Sequence, residues 1–83
     1  MKYIYPAIFE YDENEEMAVS VSFPDIFGGV TCGKNDADAV FMAKDLLSLM
    51  LKNSPAQCEN PSTFEDTVKM FPGKKIVMVE VDI

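Results

Sequence analysis

One segment of this chain, DADAVFMAKDLLSLMLKN, carries a helical period, and every other patterned stretch alternates as strands do. The helix is expected to start at Asn35, a favourable N-cap, with Asp38 three residues on, where a carboxylate can reach back to the cap. Asp36 and Asp38 complement the positive end of the helix dipole. No glycine or proline intervenes up to about Lys52, and Pro55 forbids a longer helix. A lone helix cannot bury its own apolar stripe, so this one must lie across a sheet.

At 100° per residue, Lys44, Ser48, Lys52, Asp45 and Asp38 fall on one arc of the helix. Val40, Ala43, Leu46, Leu47, Met50 and Leu51 lie opposite, extended by Ala39, Met42 and Leu49. This apolar arc is wider than the ~100° stripe that packing on one sheet requires. Either a loop or a second protein covers its flanks. Phe41 falls in the middle of the polar arc.

Strands surround the helix. Residues 2–11, KYIYPAIFEY, place Tyr3, Tyr5, Ala7, Phe9 and Tyr11 on one face and Ile4, Pro6 and Ile8 on the other. Pro6 cannot donate to a ladder, which predicts an edge strand or a neighbouring bulge. DENEE (12–16) supplies a turn, and MAVSVSF (17–23) alternates after it, so the two runs form an antiparallel hairpin. FPDIFGG (23–29) is a loop, and Val30, Thr31 and Cys32 form a short strand that Gly33 should break. Residues 53–73 read as a long connection with Phe64, Val68, Met70 and Phe71 as anchors. KKIVMVEVDI (74–83) is a final strand with Val77, Val79, Val81 and Ile83 on one face. The order β-β-β-α-β specifies an α+β fold, a two-layer sandwich of an antiparallel sheet with one helix across a face. All 83 residues fit one small domain.

Charge and composition narrow the chemistry. The formal net charge is −7, every cation among the side chains is a lysine, and there is no His. A chain so acidic is unsuited to gripping phosphate backbones, and nucleic-acid binding is not expected. His-based metal sites and Ser-His or Cys-His nucleophile pairs are excluded. Electrostatic steering favours basic partners instead. Cys32 and Cys58 are too few for the disulfide framework of a small secreted domain, and MKYIYPAIFEYDE lacks a signal-peptide pattern. A cytoplasmic protein with reduced thiols and no membrane contact is expected. Cys32 reads as a buried strand residue.

Glu10, Asp12, Glu13, Glu15, Glu16 and Asp25 are the carboxylates that a magnesium-dependent nuclease would have to gather. Five of them lie at the hairpin end, where a solvated turn accounts for them, so no metal and no cofactor are expected. Gly28-Gly29 has no Lys-Ser/Thr pair after it and is not a phosphate loop. What remains is surface: the acidic turn of Asp12, Glu13, Glu15 and Glu16, then Asp25, Phe27 in its Gly-rich loop, and Phe41. Exposed aromatics ringed by polar groups mark interfaces. These seven residues are the candidate contacts for a protein partner.

YPAIFE (5–10), VSFPDI (21–26), TCG (31–33), the capped Ala- and Leu-rich helix, Asn60-Pro61-Ser62 and the closing VEVDI (79–83) together resemble the HicB antitoxin family. The resemblance runs along nearly the whole chain and rests on the order and spacing of these strings. It implies a partial RNase H-like β-β-β-α-β domain that binds and neutralises a HicA-like toxin, a small basic protein that cleaves mRNA. It implies a homo-oligomer, dimer or larger, formed through sheet edges or the helix. Many family members add a C-terminal DNA-binding domain; this chain ends at Ile83 without one, so promoter binding is not expected of it. Phe27 and Gly29 replace the usual Pro and Cys of the loop, and Lys34 the usual Asp. The carboxylate set of active RNase H enzymes is not recognisable, so no catalytic residue is carried over. The expected function is non-enzymatic inhibition of the toxin. The alternatives are a metal-dependent RNase H-like nuclease and an orphan domain that only oligomerises.

Overall fold

A computed structural model describes residues 2–26, 28–53 and 61–83. Four strands, β1 (Lys2–Tyr11), β2 (Val19–Ser22), β3 (Val30–Gly33) and β4 (Lys75–Asp82), form one antiparallel sheet in the order β3-β2-β1-β4. Helix α1 (Asp36–Asn53) follows β3 and packs across β2, β3 and β4. A second helix, α2 (Phe64–Met70), lies within the stretch expected to be loop and packs against β4. The α+β fold is as expected, with that one helix added.

The sheet is staggered. β1 pairs with β4 from Lys2 to Phe9, but with β2 only from Ile8 to Tyr11. Only Ile8 and Phe9 therefore have strand partners on both sides. Pro6, opposite Met78, stands in the half of β1 that β2 does not reach. The strand is central by order yet locally an edge at the proline, which reconciles its position with the missing N–H.

The core forms where alternation predicted it. Tyr5, Ala7 and Phe9 of β1, Val19 and Val21 of β2, and Val79 and Val81 of β4 meet Ala39, Ala43, Leu47 and Leu51 of α1. Those four helix residues recur every fourth position, so they form a single ridge, and two of them are alanines that let the helix sit close to the strands. Val40, Leu46 and Met50 are its half-buried shoulders. Leu49, placed in the predicted apolar arc, is 55% exposed: it lies at the margin of the arc, turned away from the ridge.

The cap of α1 is reciprocal. The Asp38 N–H donates to Asn35 Oδ1 (2.9 Å), and the Lys34 N–H donates to Asp38 Oδ2 (2.9 Å). Gly33 does not break β3 but belongs to it, paired with Val19. Its importance lies in space: a Cβ there would stand 2.5 Å from the Ala39 nitrogen. The first turn of α1 rests directly on the end of β3, and only glycine leaves room.

Helix α2 begins at Thr63, whose hydroxyl accepts the Asp66 N–H at 3.1 Å. The expected anchors Phe64, Val68 and Met70 are instead 50%, 38% and 54% exposed, and Phe71 is half-buried. The buried residue is Thr67, whose hydroxyl donates to the Thr63 carbonyl at 2.8 Å and so is satisfied within the helix. Among the described residues, no helix is long and apolar enough to cross a membrane.

Candidate protein-interaction surface

The β1–β2 turn is held by its own backbone. The Asp12 N–H donates to the Ala18 carbonyl at 2.8 Å, and Asp12 Oδ1 accepts the Asn14 N–H at 3.0 Å, an Asx-turn. Closing the loop between Asp12 and Ala18 leaves Met17 outside β2, which starts at Val19 rather than at the predicted Met17. Asp12 is thus committed to the turn. Glu13, Glu15 and Glu16 are exposed, and none has an ion-pair partner among the described residues.

Directly below this tip, opposite charges are matched. Phe9 of β1 pairs with Lys75 of β4, so the register brings the two lysines at the start of β4 to the end of β1. Lys74 Nζ donates to Glu10 Oε2 at 3.2 Å. Lys75 Nζ donates to the Tyr11 hydroxyl at 2.7 Å and lies 3.6 Å from Asp36 Oδ2. The Tyr11 hydroxyl donates onward to Asp36 Oδ1 at 2.7 Å. The chain Lys75–Tyr11–Asp36 ties β4, β1 and the first turn of α1 together at the surface. The hydrogen bond to Tyr11, with the Asp36 carboxylate as a further cause, holds the Lys75 ammonium above its ordinary pKa of 10.5.

This polar network was not legible in the sequence, because its members lie as far as 64 residues apart and only the β1–β4 register assembles them. Its electrostatic effect is to divide the acidic end in two. Glu10 and Asp36 are each paired with a lysine at the base, while the three glutamates at the tip have no ion-pair partner among the described residues.

The other predicted contacts lie elsewhere. Asp25, in the β2–β3 loop, is half-buried and accepts two hydrogen bonds from Ser62, from its N–H to Oδ2 and from its hydroxyl to Oδ1, both at 2.8 Å. Both carboxylate oxygens face inward to the segment leading into α2, which makes Asp25 a structural strut. Phe23 and Ile26 of the same loop are buried, and Gly28 takes the left-handed conformation at φ 78° that its turn needs. Phe41, on the outer side of α1, is 68% exposed, as its place in the polar arc predicted. Phe27, Cys58 and Asn60 lie outside the described residues. Cys32 is a free thiol on β3, half-buried rather than buried, because β3 is an edge strand. Among the described residues, no three His, Cys, Asp or Glu side chains converge as a metal-ligand set.

Nearly the whole chain superposes on solved structures. It matches a chain of a toxin–antitoxin complex from Streptococcus pneumoniae, 27% identical, over 99% of this chain and 70% of that one, with a TM-score of 0.78. It matches the N-terminal domain of the Burkholderia pseudomallei antitoxin HicB, 22% identical, over 98% of this chain and all of that one, with a TM-score of 0.77. The chain is HicB-like in fold. Against the longer Burkholderia pseudomallei HicB structure, also 22% identical, this HicB-like chain spans 64% of the length with a TM-score of 0.78. No protein-family model matches the sequence, and no curated protein matches it. The resemblance drawn from YPAIFE, VSFPDI and VEVDI therefore holds in three dimensions.

Proposed function

We propose that this chain is an antitoxin that binds and neutralises a small basic HicA-like mRNA-cleaving toxin by occluding its RNA-binding surface. The observation that carries the reading is the match, over 99% of the chain, to a chain of a toxin–antitoxin complex. Charge supports it. A protein that holds RNA must display cations, and a net charge of −7 with three glutamates at one tip that have no ion-pair partner among the described residues is attracted by the same cations. On this reading the chain works without catalysis, in the cytoplasm where mRNA is found. The contacts are Glu13, Glu15 and Glu16 with the exposed Phe41, while Asp12 and Asp25 shape the loops that present them.

The test is a titration of a purified HicA-like toxin from the same genome with this chain, following mRNA cleavage and binding heat over a salt series. Cleavage should stop at a fixed molar ratio, and affinity should fall as salt rises. Binding that is absent at low salt, or binding that leaves cleavage untouched, would overturn the proposal.

A further inference from the structure

We propose that Lys74 and Lys75 are positioning residues for the acidic tip: their side chains continue the hold of β4 on β1 where backbone pairing ends, and so fix the angle at which Glu13, Glu15 and Glu16 meet a basic partner. The pairing stops at Phe9 opposite Lys75, so Glu10 and Tyr11 reach beyond β4 and have strand partners only in β2. The chain ahead of β4 bends away there, in a turn where the Lys74 N–H donates to the Phe71 carbonyl at 3.3 Å and Gly73 has φ 82°. A groove of about 360 Å³, lined by Phe9, Glu10, Tyr11, Gly73, Lys74 and Lys75, opens where the ladder ends. Two lysine side chains span it. Lys74 Nζ reaches Glu10 Oε2 at 3.2 Å, and Lys75 Nζ reaches the Tyr11 hydroxyl at 2.7 Å.

The two contacts are not duplicates. Neighbouring strand residues point to opposite faces, so Glu10 is gripped on one face of the sheet and Tyr11 on the other, where Asp36 of α1 joins. Swinging the tip toward either face therefore strains one contact or the other. Each lysine is exposed, and such contacts are weak one at a time. Here they act on the end of a hairpin that β2 holds from the other side, and Lys75 acts through a tyrosine that is itself bonded to α1 at 2.7 Å. Charge alone gives the lysines the reverse role. As cations beside an acidic surface, they reduce its attraction for a basic partner. The two roles predict opposite results when the ammonium groups are removed.

The brace is tested with the chain alone, while its effect on binding rests on the toxin reading. K74M/K75M keeps the apolar stems, drops both ammonium groups and makes the chain more negative by two charges. Y11F removes the hydroxyl joint and leaves the charge unchanged. In both variants, the amide order parameters of Glu13, Glu15 and Glu16 from NMR relaxation should fall, while those of the core strands stay as they were. Toward the HicA-like toxin, association of K74M/K75M should quicken about threefold and dissociation roughly tenfold, so affinity falls about threefold in spite of the added charge. Y11F should speed dissociation roughly threefold and leave association unaltered. A flexible oligolysine peptide cannot sense the angle of the tip, and it should bind K74M/K75M more tightly than the parent. K74R/K75R restores the donors and should return the parent values. Order parameters unchanged in both variants, or a toxin affinity that rises in K74M/K75M, would overturn the proposal. A parent chain that does not bind the toxin would refute the toxin reading instead, and the order parameters would still decide for or against the brace.

Discussion

The two connections that flank β2 both carry carboxylates that the sequence marks as contacts, and the fold uses them in opposite ways. In the β2–β3 loop, Asp25 turns both oxygens inward to the N–H and hydroxyl of Ser62, and Phe23 and Ile26 are buried beside it. In the β1–β2 turn, Asp12 serves one neighbouring N–H while Glu13, Glu15 and Glu16 project into water. An acidic side chain short enough to reach a neighbouring backbone N–H, or one that faces another segment, becomes part of the scaffold. One at the crest of a short turn has only solvent to face. Residue type follows the same division: the two scaffold carboxylates are aspartates and the three solvated ones are glutamates.

The sharpest way to break this comparison is Asp25→Ala. It leaves the Ser62 N–H and hydroxyl without their acceptor in a half-buried place, so a loss of roughly 1–3 kcal/mol is expected in urea unfolding. Unchanged stability would return Asp25 to the list of contacts. Asp12→Ala is the milder counterpart within the tip. Its single bond is exposed, and about 0.5 kcal/mol should disappear from the same measurement, with toxin affinity little altered.

The combined variant E13K/E15K/E16K should behave in the reverse manner. Thermal unfolding should change by less than about 0.5 kcal/mol for each site, whereas affinity for a basic partner and its salt dependence should both fall. A large stability loss with intact binding would show that the tip is scaffold after all. The smallest effect belongs to Lys75. Its pKa is raised in the folded state, so its contribution to stability is complete below its ordinary 10.5 and is lost as pH rises through the folded value. Parent and K75M stabilities should therefore differ by a constant amount at neutral pH and converge in strong alkali. A difference that persisted undiminished in strong alkali would show that the ammonium charge contributes nothing.

Much of the fold was written in local periodicity. The aromatic alternation of β1 gave its limits from Lys2 to Tyr11, and Asn35 with Asp38 marked the start of α1 to the residue. Helix α2 escaped because seven residues hold less than two full cycles of a helical period, and because its buried residue is Thr67 rather than any of its large apolar ones. Gly33 read as a breaker because glycine ends strands more often than it clears space for a helix, and the nearness of Ala39 is a tertiary fact. At the candidate surface, exposure of Phe41 and of the tip glutamates could be read from pattern. The bonds of Asp25 to Ser62 and of Lys75 to Tyr11 and Asp36 could not, since each joins segments that only the sheet brings together.

The stagger of β1 has a consequence for how the chain is made. Its first six described residues find their strand partner only in β4, whose last residue is Asp82. On the ribosome the opening strand emerges first, and more than half of it waits for β4. The β1–β2 hairpin can close early from neighbours in sequence, but pairing the start of β1 must bridge everything between β1 and β4, the slow kind of contact in a small domain. A nascent chain halted before Lys75 is expected to hold the hairpin while leaving Tyr3 and Tyr5 open to proteases and chaperones. Emergence of β4 would then be the event that seals the start of β1.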